Sequence, residues 1–217
     1  MSKYTFDPLP LTWWHTIQLP DGTKTPGVHD YDTVTGERYL FPDVKGKTVL
    51  DIGTFDGYWS ARAKKNGSKT VIALDYNKRE TAEHIAQTFK FKYFAGHNID
   101  FNKPYTEAIP SDVVLFYGVV YHLYNPVQGI INAISLTAPG GIMCIESAIN
   151  QAGAMGNNVR FNPATHDGDE TNYFMPTIQG LKDTIAVAAK VIDAKIEMIA
   201  EATDNGQHRW AAQYLVK

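Results

Sequence analysis

A short apolar run, Val49-Leu50-Asp51-Ile52, ends at Gly53, a second glycine follows at Gly57, and a helical pattern opens near Asp56. Strand, glycine turn and helix in that order mark the point where an α/β fold brings a nucleotide-like ligand to the carboxyl end of its first strand. Glycine keeps the turn tight and removes the Cβ that would hold a ligand off the backbone. A second apolar run, Val71-Ile72-Ala73-Leu74-Asp75, adds weight because it ends in an acid about twenty residues after the turn. At a strand tip, a carboxylate can accept hydrogen bonds from both hydroxyls of a ribose. The plain alternative is a pair of loop features with no ligand.

Residues missing from the turn narrow the choice of ligand. A pyrophosphate site would have a third glycine where the helix opens, and a triphosphate site a Lys-Ser/Thr pair. Phe55 and Asp56 stand there instead. An acid at a helix N-terminus caps the helix but repels phosphate, and Asp51 acts in the same direction. A ligand with a ribose, an adenine and a positive charge fits better, and S-adenosylmethionine (SAM) has all three. The candidate cofactor residues here are Asp51, Gly53, Phe55, Asp56, Gly57 and Asp75.

Strands and helices alternate from Lys47 onward, which predicts an α/β fold with a parallel sheet covered on both faces. Strands are expected at 48–52, 70–75, 91–95, 112–117 and 142–147, and helices at 56–66, 78–89, after Pro126, and 177–189. Two further runs, 195–200 and 208–216, read as a closing hairpin. In 217 residues this is one domain, organised as a cap (1–46), a cofactor-binding core (47–150), an inserted lid (151–176) and a C-terminal helix with hairpin (177–217).

The cap is rich in Pro, Gly, Asp and aromatics, and Trp14 and His15 are its candidate substrate contacts. Residues 151–176 lack clear periodicity, and inserts of this length in compact domains are usually functional. Arg160, Phe161, His166, Tyr173 and Phe174 make this one a candidate lid, with Arg160 and Tyr173 as substrate contacts. Glu146 and Arg160 either orient a polar substrate or pair with each other.

Hydrophobic content of 44% and charged content of 20% are those of a soluble globular chain. No apolar run approaches the roughly 18–20 residues of a membrane span, so no membrane partner is expected. A start without a signal-peptide core and a single cysteine, Cys144, fit a cytoplasmic protein; within Ile142-Met143-Cys144-Ile145 the thiol reads as buried and inert. The net charge of −3 argues against holding a large RNA by its backbone and favours a small or medium-sized acceptor. Arg62, Lys64, Lys65 and Lys69 read as a solvated helix face.

Tyr117, Gly118, Tyr121 and His122 follow the strand expected beside the first one. Tyr117 and Gly118 are candidate cofactor contacts, Gly118 by allowing close approach. Tyr121 and His122 are the candidate catalytic pair, His122 as a base or as a structural cap of its own turn. Asn98 and Asp100 either contact the adenine edge or close an Asx turn. Alkyl transfer from a sulfonium needs alignment more than acid–base help, and a base only when the nucleophile arrives protonated. No metal is required.

Asp51-x-Gly53-x-x-Asp56-Gly57-Tyr58, Asp75 and Tyr117-Gly118-Val119-Val120-Tyr121-His122-x-x-x-Pro126 resemble the motifs of class I SAM-dependent methyltransferases. Thr25-Pro26-Gly27 and Asp169-x-Thr171-Asn172-Tyr173-Phe174-x-Pro176 are similar, more narrowly, to the tRNA wobble-uridine carboxymethyltransferase branch. The resemblance implies a Rossmann-like, mostly parallel seven-stranded sheet with helices on both faces and an antiparallel last strand. It implies SAM as cofactor and alkyl transfer, methyl first, to an oxygen or nitrogen nucleophile. Its alternative is transfer to a tRNA wobble uridine from SAM or carboxy-SAM, the carboxylate of the latter read by a lysine, a tyrosine and an arginine. Tyr121 and Arg209 match the last two, and Lys24 stands near the first. A non-catalytic nucleotide-binding module and an NAD-dependent oxidoreductase are the rival classes; Phe55 and Asp56 disfavour the second.

Overall fold

Thr48–Ile52 forms β1, and its last four residues are all buried, as expected of a strand covered on both faces. In chain order there follow α1 (Tyr58–Lys65), β2 (Thr70–Asp75), α2 (Glu80–Phe89), β3 (Lys92–Ala95), β4 (Ser111–Tyr117), a 3-10 turn (Val120–His122) and α3 (Pro126–Ser135). Then come β5 (Thr137–Ala148), β6 (Val159–Phe161), β7 (Phe174–Pro176), α4 (Ile178–Val191), β8 (Ile196–Asp204) and β9 (Arg209–Val216). The computed structural model describes residues 12–31, 39–107, 109–150, 159–162, 169–204 and 208–217. His166 and much of the expected lid and cap lie outside these residues.

Seven strands form the main sheet in the order β3-β2-β1-β4-β5-β9-β8. The pairs from β3 through β5 are parallel, while β9 runs antiparallel to both β5 and β8. The expected parallel sheet, helices on both faces and antiparallel final strand are therefore all present. β1 and β4 are neighbours from which the chain winds in opposite directions, so the loops after them open a crevice at their carboxyl ends. On one face α3 and α4 pack over Leu50, Phe116, Ile145 and Trp210; on the other α1, α2 and the cap cover Val49, Val71, Leu115 and Cys144. Cys144 is fully buried, and burial pushes its thiol up to about 12, as the apolar run around it predicts.

Local chemistry sets the helix starts. Pro126 occupies the first turn of α3, and Asn125 accepts the Gln128 N–H at 3.3 Å. Thr177 caps α4 through the Gly180 N–H at 3.1 Å. β5 starts earlier than the expected 142: Thr137 already pairs with Ser111, and the register shifts before Val113 meets Ile142. Ala138-Pro139-Gly140-Gly141 is thus an irregularity inside the strand rather than a loop before it. In the region expected as a lid, β6 and β7 pair antiparallel as a separate two-stranded sheet. No helix among the described residues is long and apolar enough to cross a membrane.

Candidate functional site

The glycine turn is held by carboxylates at both ends. Asp51 accepts hydrogen bonds from Thr54 Oγ1 at 2.7 Å and Ser60 Oγ at 2.6 Å, tying the turn to the first turns of α1. Burial pushes its carboxyl up to about 6, the two hydroxyls opposing the shift. Asp51 therefore shapes the turn from beneath. Gly53 has φ 72°, and a Cβ there would meet Val119 Cγ2 at 2.4 Å, so the loops after β1 and β4 touch where the glycine stands.

Asp75 ends β2 and accepts the Phe55 N–H at 2.8 Å and the Asn77 N–H at 2.9 Å, one on each carboxylate oxygen. Each oxygen keeps a further lone pair for a ligand hydroxyl. Burial raises its pKa, while those N–H groups and nearby Arg79 work the other way. Phe55 itself has φ 56°, and the Arg79 guanidinium lies 3.9 Å from its ring centroid.

Asp56 does not face the crevice. Its Oδ2 accepts the backbone N–H groups of Trp14 at 3.1 Å and His15 at 2.8 Å, and its Oδ1 meets His15 Nδ1. These bonds correct the cofactor role expected of Asp56: the acid fastens the cap to the turn. Gly57 is the N-cap of α1 at φ 88°, packed against Ile85. His15 is buried, stacked on Tyr58 at 5.1 Å and edge-on to Tyr31 at 4.9 Å. The other side of the cap explains Thr25-Pro26-Gly27. Thr25 bonds the Ile17 N–H and the His15 carbonyl, and a Cβ on Gly27 would lie 2.1 Å from the His15 carbonyl carbon. Trp14 is exposed, its ring 4.2 Å from that of His29 and edge-on to Phe55 at 6.4 Å.

Across the crevice, Gly118 (φ 71°) leaves β4, and a Cβ there would stand 3.6 Å from the Tyr121 hydroxyl and 4.0 Å from Glu146 Oε2. Arg209, at the start of β9, donates from Nε to Glu146 Oε1 at 2.5 Å and from Nη2 to Glu146 Oε2 at 3.2 Å. The same Nη2 donates to the Tyr121 hydroxyl at 3.1 Å. Burial works against the Arg209 charge, but Glu146 and Tyr121 outweigh it and keep the guanidinium charged. Burial is also the main cause of the raised Tyr121 pKa. The phenol thus stays protonated, and because it accepts from Arg209 its own hydrogen is left to donate into the crevice. Glu146 pairs with Arg209 and not with Arg160, which is exposed on β6.

His122, in the 3-10 turn, joins the two late motifs. Its Nδ1 lies 2.9 Å from Thr171 Oγ1 and 3.3 Å from the Thr171 carbonyl, and its ring is 4.3 Å from that of Tyr121. Burial, the largest influence, lowers its pKa. Tyr173 is half-buried beside this contact, its carbonyl accepting the Asn162 N–H at 2.9 Å.

Three expected residues are engaged elsewhere. Asp100 closes an Asx turn onto Asn102 at 3.0 Å and pairs with Lys103 at 2.9 Å, the second of its two sequence alternatives. The Tyr117 side chain is buried among Tyr39 and Trp59 on the far face, which leaves its backbone to the crevice. Lys24 pairs with Asp30 inside the cap at 2.9 Å. Asn98 is exposed in the loop after β3. Sequence reasoning missed Ser60, Thr171 and the exposed Tyr76 beside Asp75. Asp169-x-Thr171 carried the signature of a side-chain-stabilised turn, which was the available signal for Thr171.

A family model described as methyltransferase domain matches residues 43–208. The chain is 27% identical over 174 residues to the tRNA U34 carboxymethyltransferase of Campylobacter curvus, covering 77% of this chain and 55% of that protein. It spans about half the length of the curated relatives it matches. Among solved structures, the N-terminal domain of EvdMO1, determined with SAH and D-fucose, superposes with a TM-score of 0.65 at 16% identity, covering 94% of this chain and 91% of that one. A chain of the Haloferax volcanii complex between the Trm112 methyltransferase activator and a methyltransferase gives 0.63 at 13% identity, covering 85% and 89%.

Proposed function

Because the chain belongs to the methyltransferase-domain family, we propose that it transfers a methyl group from SAM to an oxygen or nitrogen nucleophile of a small or medium-sized acceptor. The observation that carries this reading is the crevice floored by Gly53 and Gly118, with Asp75 at one end and Tyr121 and His122 at the other. Asp51 and Asp75 bring carboxylates to the ends of β1 and β2, an arrangement that suits a cationic ligand and opposes a pyrophosphate.

The residues fit SAM in distinct ways. The Asp75 carboxylate would receive the ribose hydroxyls, Tyr76 and Asn98 would border the adenine, and the Gly53–Phe55 and Tyr117–Gly118 backbones would lie along the ligand. When bound, SAM supplies an alkyl carbon on a sulfonium that departs as a neutral thioether. The Tyr121 hydroxyl donates a hydrogen bond that orients the acceptor, and His122 takes the proton that a hydroxyl acceptor loses. Trp14 and Tyr173 border the acceptor side, while His15, expected there from the sequence, is buried as part of the cap's fastening to Asp56.

One contact favours a second reading. Arg209 and Tyr121 converge as the sequence resemblance implies for reading the carboxylate of carboxy-SAM, and the curated relatives carry the name tRNA U34 carboxymethyltransferase. In that reading the product is a carboxymethylated wobble uridine.

Parallel calorimetric titration with S-adenosylhomocysteine, SAM, carboxy-SAM and NAD tests both. Micromolar binding of SAM or S-adenosylhomocysteine without NAD is the expected result. Clear preference for carboxy-SAM selects the second reading, and binding of none of the four overturns both.

A further inference from the structure

We propose that Thr171 is a positioning residue for this transfer: held by Asp169, its hydroxyl fixes the His122 ring with the proton on Nδ1 and leaves Nε2 to accept the acceptor's proton. The inference rests on the alkyl-transfer reading above. Its basis is a count of hydrogens.

A threonine hydroxyl has one proton to give. Thr171 Oγ1 gives it to Asp169 Oδ1 at 2.6 Å, and the same Asp169 oxygen also accepts the Thr171 N–H at 2.7 Å. Those two bonds hold Asp169 below the usual carboxylate range despite some burial, so its carboxylate is an acceptor only. Toward His122 Nδ1, then, Thr171 Oγ1 can only accept. The Thr171 carbonyl, the other partner of Nδ1, can likewise only accept. Both contacts therefore require a proton on Nδ1, and in the neutral ring the Nε2 lone pair is free. Among the described residues Nε2 has no hydrogen-bond partner.

The charges facing the ring come from two elements. Asp169 Oδ2 is 4.0 Å from Nδ1 and favours the protonated ring, whereas Arg209 on β9 disfavours it. The Thr171 hydroxyl holds Asp169 to its own turn, and burial then keeps the ring neutral. Thr171 stands 49 residues from His122 in sequence, in the segment leading into β7. The turn before β7, outside the main sheet, thus supplies the group that sets the ring's tautomer.

Nitrogen-15 NMR of His122 reads the tautomer without any substrate. In the wild-type protein Nε2 should resonate as the unprotonated nitrogen. Thr171→Val should shift population toward protonated Nε2 and lower kcat by about tenfold with acceptor KM unchanged. Thr171→Ser should restore both. Wild-type tautomer and kcat in Thr171→Val, or failure of Thr171→Ser to restore them, overturns the proposal. His122→Gln separates the two claims: an undiminished transfer rate overturns the base role and leaves the tautomer measurement standing.

Discussion

Asp56 grips His15 at two points, accepting its backbone N–H at 2.8 Å and meeting its ring at Nδ1. The cap is thereby bolted to the glycine turn by an acid that is itself 1% exposed. Removing the acid strands two backbone donors and a ring nitrogen in a buried place. Asp56→Ala is expected to cost about 2–3 kcal/mol, read as a lower urea midpoint at unchanged slope. An unchanged midpoint would mean that aromatic packing alone seats the cap.

Asp75 presents one free lone pair on each carboxylate oxygen. Asp75→Ala should weaken S-adenosylhomocysteine binding by roughly 1–3 kcal/mol, the cost of leaving ribose hydroxyls unpaired. Calorimetry measures this directly, and unchanged affinity removes Asp75 from the ribose.

Arg209 needs a paired design. Glu146 is 1% exposed, so Arg209→Leu alone leaves a buried carboxylate without its partner and should cost about 3–5 kcal/mol. Combining Arg209→Gln with Glu146→Gln removes both charges and should recover most of that stability in thermal unfolding. On this background any preference for carboxy-SAM over SAM should vanish in calorimetric competition. If the preference persists, another group reads the carboxylate.

Asp51 makes stability depend on pH. Its folded-state pKa of about 6 lies above the unfolded value, so the folded state binds more protons between the two. This contribution is fully present below about pH 4, is lost as pH rises toward about 6, and then levels off, a fall of about 2–3 kcal/mol. Asp51→Asn should flatten that segment of the pH–stability curve. A variant curve parallel to wild type would assign the slope to other groups.

The ladder of apolar runs and glycine turns was readable along the chain because the central strands β1 and β4 are buried nearly throughout and the turns at Gly53 and Gly118 need a backbone that side chains resist. The exception, the early start of β5, arises because Pro139 and Gly140 mimic a loop while Thr137 is already paired with Ser111. In the site, composition identified the acids but not their duties. Asp51, Asp56 and Asp75 are all carboxylates near one turn; one accepts from Thr54 and Ser60, one holds the cap, and one accepts the Phe55 and Asn77 N–H groups at the end of β2. Only three-dimensional placement separates them. The same holds for Glu146, whose partner is 63 residues away on a strand that no local pattern connects to it.

β9 is made after β8 yet inserts between β8 and β5, and it begins with Arg209. β8 therefore has no neighbour in the sheet until β9 is in place, and Glu146 on β5 has no guanidinium until the same strand pairs with it. One pairing thus both extends the edge of the sheet and neutralises the buried carboxylate beside the crevice.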